Sequence, residues 1–217
     1  MLITLLTDAN SWINKRIPLL IKEINKRKHH VRHVHLIQEM SKGEICFILS
    51  FSRILNREFL LNHKHNLVVH ESDLPKGKGW SPLTWQIIEG KNKIPICLFE
   101  ANADSVDSGV IYLKDEIVVN NYDLIEELRD AQAMKTFEMC ISFIDSYPEI
   151  VKKGKNQVGE SSFYFKRSPK DSELDIDKTI RELFPLLRTV DNEEYPAFFR
   201  MHGKKYIFKI YKEESLE

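Results

Sequence analysis

The amino-acid sequence predicts an α/β fold: a mostly parallel sheet flanked by helices, followed by a short C-terminal helix and a β-hairpin. Three observations carry this. Short apolar runs alternate with longer helical patterns through the first half of the chain, as buried parallel strands with helical crossovers require. A long amphipathic stretch at 122–147 is wide enough to cover one face of a sheet. After Pro148 the composition turns polar and the patterns become short.

The elements follow in order. Residues 2–6 form a buried-type strand, and Ile13, Ile17, Leu20, Ile21 and Ile24 then recur at helical spacing. Strands are expected at 31–37, 44–50 and 67–70, with a short helix at 55–61 between the last two. A helix at 82–89 is closed by Gly90, which adopts a left-handed cap at little cost. Two more strands, 94–99 and 109–113, flank a polar loop at 100–108. The helix at 122–147 turns inward Leu124, Leu128, Ala131, Phe137, Ile141 and Ile144, with Met134 and Met139 in the same apolar stripe. Residues 152–160 read as linker-like, 175–187 as a helix, and 197–211 as a hairpin turning at His202–Gly203. One main domain, 1–150, with an extension, 151–217, packed on it is the expected organisation.

Composition excludes several roles. Lysine plus arginine and aspartate plus glutamate both number 32, so no large uniform positive field is available for nucleic acid. No run approaches the roughly 20 apolar residues of a membrane span, and the N-terminus lacks the basic start of a signal peptide. Cys46, Cys97 and Cys140 are odd in number and lie in apolar runs, as reduced core thiols do. A cytoplasmic location is expected. His29, His30, His33 and His35 interleave with Val31 and Val34 without a nearby cysteine, so an edge strand is expected there and no metal site. The basic run at 22–32, lacking aromatic residues, reads as a solvated face.

The run with the most chemistry is His70-Glu71-Ser72-Asp73-Leu74-Pro75-Lys76-Gly77-Lys78-Gly79-Trp80-Ser81-Pro82. A histidine at the carboxyl end of a buried strand stands where open α/β sheets bind ligands, and imidazole moves protons near neutral pH. The glycines let backbone amides approach a ligand.

This run resembles the signature of the folate-dependent formyltransferases, the family of methionyl-tRNA formyltransferase and the sugar N-formyltransferases. Their His, Ser, Leu-Pro and Gly correspond to His70, Ser72, Leu74-Pro75 and Gly79. A second landmark, an Asp followed two residues later by Gly at the start of a strand, corresponds to Asp107 and Gly109, 37 positions after the histidine. One position departs: the family's Asn two residues before the His is Val68 here.

The resemblance implies a Rossmann-like formyltransferase fold with residues 1–150 as catalytic domain, and 10-formyltetrahydrofolate as co-substrate. It implies His70 and Asp107 as catalytic residues, and leaves open which of them takes the amine proton. It places the folate against Phe51, Ala103, Asp104 and Asp107. Lys76 and Lys78, suited to phosphate oxygens, and Trp80, a stacking face, are expected to bind the acceptor. The runs 165–171 and 195–199 resemble the sugar N-formyltransferases, and the His70 loop looks most like the pseudaminic-acid type. A nucleotide-linked amino sugar, a UDP-4-amino-4,6-dideoxy hexose in particular, is therefore the expected acceptor. The chain ends where methionyl-tRNA formyltransferases continue into a second domain. A carrier-bound amino acid or other amine as acceptor, and a non-catalytic folate or nucleotide binder, are the rival readings; Val68 favours the binder. The hairpin at 197–211 reads either as a homodimer edge or as the closure of its own domain.

Overall fold

The computed structural model describes residues 1–213, so residues 214–217 of the expected extension lie outside the described residues. Six strands form the central sheet: β1 (Leu2–Leu6), β2 (His30–Val34), β3 (Gly43–Ile48), β4 (His63–His70), β6 (Lys93–Glu100) and β7 (Ile111–Val118). A seventh, β5 (Lys78–Gly79), stands apart in a small sheet of its own. The order is β2-β1-β3-β4-β6-β7. The first four strands are parallel, whereas β6 runs antiparallel to both β4 and β7.

The chain leaves β1 for β2 on one side through α1 (Ile17–Lys26) and then builds β3 and β4 on the other. Strand order therefore reverses at β1, and a crevice opens beyond the carboxyl ends of β1 and β3, the usual ligand position in such sheets. Ile13, Ile17, Leu20 and Ile24 bury the inner face of α1 and the short 3-10 turn before it. Beside α1 lies α4 (Ile125–Ser146), joined to it by Arg16 to Asp130 and Glu126 and by Arg27 to Asp145. Phe143 of α4 is fully buried and meets the rings of Phe47, Tyr112, His65 and Tyr147. The inner face of α4 includes Leu128, Phe137, Met139 and Ile144 as expected, but Met134 is 51% exposed. A second cluster, Leu6, Met40, Cys46, Ile48 and Leu55, fills the opposite sheet face near α2 (Arg57–Leu60).

Several boundaries differ from the sequence expectation, each for a local reason. Strand β4 begins at His63 because the polar residues His63 and Asn66 are buried, His63 bonding Thr4 Oγ1 through Nε2 at 2.8 Å and Asn66 donating to Leu60 O at 2.8 Å. Strand β2 stops at Val34, where the chain turns into a 3-10 segment. The strand expected from 109 starts at Ile111 and runs on to Val118. Helix α5 (Ile180–Leu187) starts later than expected because Thr179 caps it, its hydroxyl accepting from the Glu182 N–H while Glu182 reaches back. Strands β9 (Ala197–Met201) and β10 (Lys204–Phe208) form the hairpin, with His202 and Gly203 at positive φ.

The linker-like reading of 152–160 gives way to a packed segment. Lys155 exchanges two backbone hydrogen bonds with Ile111 at 2.9 Å, and β8 (Phe163–Tyr164) pairs in parallel with β5. The segment is anchored at Gly154, Lys155 and Gln157, while most of its other side chains remain exposed. Cys46, Cys97 and Cys140 are buried free thiols, and burial pushes Cys46 and Cys97 up to about 12. Among the described residues no helix is long and apolar enough to cross a membrane, and no group of three or more His, Cys, Asp or Glu could hold a metal ion.

Candidate active site

His70 is the last residue of β4 and only 6% exposed. Its Nε2 lies 2.9 Å from Gly77 O. A carbonyl oxygen only accepts, so Nε2 carries the proton and a neutral ring keeps its lone pair on Nδ1. Nδ1 has no hydrogen-bond partner among the described residues. The Phe99 ring meets the imidazole edge-on at 6.5 Å and fixes its plane.

Asp107 reaches the same imidazole from a different route. Because β6 is antiparallel to β4, Glu100 stands opposite Leu67 and Cys97 opposite His70. The loop 101–110 must therefore fold back along the sheet to bring Asp107 Oδ2 within 3.7 Å of His70 Nε2. Three contacts hold it there: Gly79 N donates to Asp107 Oδ2 at 2.9 Å, and Gln157 Nε2 donates to Asp107 O at 2.9 Å and Gly109 O at 3.0 Å. Asp107 sits at φ 49, a left-handed conformation that Asp tolerates better than most residues. A Cβ on Gly109 would lie 1.7 Å from Glu100 O, so only glycine lets the loop close this tightly.

The Gly77–Trp80 turn is itself a strand partner. Gly77 N donates to Ser162 Oγ at 2.9 Å, Lys78 N to Ser162 O at 2.9 Å, and Trp80 N to Tyr164 O at 3.2 Å. Gly79 has φ +100, and a Cβ there would meet Tyr164 O at 2.3 Å.

A cavity of about 630 Å³ opens over the pair, within the size range of small-molecule sites. Its walls are the turn after β1 (Asp8 to Ile13), the segment after β3 (Ile48 to Leu55), His70 and Glu71, Trp80 to Thr84, and the inner side of α4. Lys166, Arg167 and Tyr195 close the far side. Of the residues expected from sequence, His70, Asp107, Phe51 and Trp80 share this cavity, and Val68 lies on its wall. Ala103 and Asp104 do not line it; their neighbours Ala101, Asn102 and Val106 do. Lys76 lines a separate shallow depression with Asp73 and Lys114. Lys78 is buried, with its ammonium 6.0 Å from the Phe163 ring. Neither lysine lines the cavity; Lys78 is carried on β5, which pairs with β8.

Residues 13–144 match the model of the family described as "Formyl transferase". The chain belongs to the formyl transferase family. A methionyl-tRNA formyltransferase from Thermodesulfovibrio yellowstonii is 27% identical over 67% of this chain and 47% of its own length. The chain thus spans about half the length of that curated relative. Among solved structures, a methionyl-tRNA formyltransferase from Clostridium thermocellum superposes with a TM-score of 0.78 at 25% identity, covering 100% of this chain and 95% of that one. A sugar N-formyltransferase from a Shewanella species superposes at 0.70 with 14% identity, covering 99% of each chain, which shows the shared fold.

The chain places further polar groups in and around this cavity that sequence reasoning missed. Glu71, 8% exposed, follows His70 directly, and burial pushes its carboxyl above the ordinary 4.5. Gln132 interrupts the apolar stripe of α4 between Leu128 and Thr136; a polar residue at that spacing was the available signal. Gln157, outside the cavity wall but holding the Asp107 loop, carried none, lying in a polar run. Arg167 donates through Nη2 to Asp171 O at 3.3 Å and Ser172 Oγ at 3.4 Å, while its buried Nε is unpartnered among the described residues. Burial lowers the pKa of its guanidinium.

Proposed function

We propose that this protein transfers a formyl group from 10-formyltetrahydrofolate to the amino group of a nucleotide-linked sugar, with a UDP-4-amino-4,6-dideoxy hexose as acceptor. The observation that carries this reading is the convergence of His70 and Asp107, 3.7 Å apart, on a cavity at the point where strand order reverses.

The cavity suits the donor. A flat heterocycle needs apolar faces and polar edges; Phe51, Leu55, Val68, Phe99 and Val106 supply apolar wall, beside the backbone of the loop from Ala101 to Asp107. When bound, the folate supplies an activated formyl carbon. Acyl transfer to an amine then requires a base for the amine proton and compensation of the charge that develops. His70 Nδ1, free of protein partners, takes that proton. Gly77 O holds Nε2–H and so fixes the ring, and the Asp107 carboxylate offsets the positive charge that the ring acquires. Val68 occupies the position of the family's Asn, so the oxyanion is served by the imidazole once Nδ1 carries the amine proton, or by a backbone donor.

The far wall supports an anionic acceptor. Arg167 makes no ion pair among the described residues, and Lys166 lines the same side. A half-buried guanidinium with Asp171 nearby but no carboxylate at ion-pair distance among the described residues matches phosphate oxygens, which guanidinium groups bind bidentately. Trp80, 37% exposed on the cavity rim, offers a face for a base or sugar. The hairpin exposes Met201, Tyr206 and Ile207 and is the edge through which a homodimer would form.

The test is incubation with 10-formyltetrahydrofolate and a panel of UDP- and dTDP-amino sugars, with initiator methionyl-tRNA as a further acceptor, followed by mass spectrometry. Gain of one formyl group on an amino sugar supports the reading. Formylation of the tRNA alone would replace the acceptor, and folate binding with no transfer to any amine would replace the activity.

A further inference from the structure

We propose that Glu71 is a second acid–base group of this site, whose carboxylate binds the acceptor amine as its ammonium form and removes one proton from it before transfer. This rests on the formyl-transfer reading above.

Two glutamines from two helices fix Glu71. Gln86, 4% exposed and carried on α3 (Pro82–Ile88), donates through Nε2 to Glu71 O at 2.7 Å. Gln132 of α4 donates through Nε2 to Glu71 Oε1 at 2.7 Å. No residue besides Gln132 donates to this carboxylate among the described residues apart from its own backbone N–H, and the residue lines the same cavity as His70 and Asp107. No Lys or Arg among the described residues pairs with Glu71 within salt-bridge distance. The nearest cation of α4 in the cavity wall, Arg129, is already bound to Asp191 and Glu126 at 2.8 Å each. A buried carboxylate without a cationic partner is costly, and a ligand cation arriving in the cavity removes that cost.

The acceptor supplies such a cation. An alkyl amine is largely protonated at neutral pH, and in that form its nitrogen has no lone pair with which to attack. The carboxylate oxygen takes one proton as an N–H bond of the ammonium breaks; the bonding pair stays on nitrogen, and the products are a neutral amine and a neutral carboxyl. After turnover the carboxyl returns its proton to solvent. Burial favours the protonated acid, the charge of Asp107 acts in the same direction, and His70 opposes it. Cys97 of β6 is the remaining titratable neighbour that couples to Glu71, and its thiol is held protonated by burial. The group is thus placed to cycle between its two forms, a condition that an exposed carboxylate does not meet.

Glu71→Gln keeps the shape and the oxygen that accepts from Gln132 while abolishing proton uptake. With 10-formyltetrahydrofolate and a UDP-4-amino-4,6-dideoxy hexose, kcat/KM of this variant should fall roughly 100-fold at neutral pH. It should then climb with pH towards the pKa of the free amine. Gln132→Met keeps the carboxyl but removes a donor to its charged form, and should move the acidic limb of the profile to higher pH. Thermal melts of both variants report folding independently. An active wild type whose Glu71→Gln profile runs parallel to it or coincides with it overturns the role of Glu71 alone. A wild type that formylates no amine overturns the underlying reading and this one with it. If Glu71→Gln does not fold, an unshifted acidic limb in Gln132→Met overturns the proposal.

Discussion

His70 Nε2 and Asp107 Oδ2 stand 3.7 Å apart although a complete strand, a helix and a folded-back loop separate them in the chain. The distance exceeds a direct hydrogen bond, because Nε2–H is committed to Gly77 O at 2.9 Å and Oδ2 to Gly79 N at 2.9 Å. Imidazole and carboxylate are therefore held side by side by two residues of a single turn.

Removing either partner should cost rate without unfolding the chain. His70→Ala and Asp107→Asn are each expected to lower kcat by between about 10²- and 10⁴-fold, with unchanged circular dichroism and melting temperature within a few degrees. Near-normal formyl transfer by either purified variant contradicts the assignment.

Gly79→Ala should damage both stability and activity. Its φ of +100 and the 2.3 Å approach to Tyr164 O leave no room for a methyl group, at a cost of about 1–3 kcal/mol. Because Gly79 N also holds Asp107, kcat should fall further than the shift of the urea midpoint accounts for. Gly90→Ala, also at positive φ but with nothing near its Cβ position, should leave kcat unaffected and serves as the control.

Arg167→Gln should raise KM for a phosphorylated acceptor with little change in kcat. A charge-assisted hydrogen bond is worth about 1.5–3 kcal/mol, equivalent to a rise of roughly ten- to a hundredfold. Initial rates at saturating folate and varied acceptor measure it. An unchanged KM would remove Arg167 from the acceptor site.

Stability should fall on mild acidification. His63 lies buried with Nδ1 unpartnered among the described residues, and burial lowers its pKa below the ordinary 6.5; burial acts likewise on His33. Such groups are neutral in the folded chain and bind protons more readily when it unfolds. Their contribution is complete above the unfolded value near 6.5 and is lost as pH falls below it. Urea unfolding on either side of that value should show the decline, and His63→Gln should show a shallower one.

The strands that were legible were those with apolar runs on both faces, such as Leu2–Leu6, and the capped helix ending at Gly90. The beginning of β4 was hidden because His63 and Asn66 are polar yet buried, and a pattern of hydrophobicity registers polarity, not partners. The reversal of β6 left no trace in composition, since an interior strand is apolar whichever way it runs. His70 stood out by its place at the end of a buried strand. Glu71 did not, because its environment comes from side chains on two helices, one of them 61 positions away. Lys76 and Lys78 looked like phosphate ligands by type and spacing, but Lys78 is paired with Phe163 and Lys76 lines a separate depression beside Asp73, placements no local pattern encodes.

That pairing between β5 and β8 has a consequence for modularity. The backbone of Gly77–Trp80 finds its donors' partners at Ser162 and Tyr164, so the turn that steadies Asp107 is shaped by the region after residue 150. A chimaera that joins residues 1–150 to a foreign tail inherits a histidine and an aspartate, but no template to hold them in alignment. An exchange of the region after residue 150 should therefore disturb the His70–Asp107 pair as well as the far wall of the cavity.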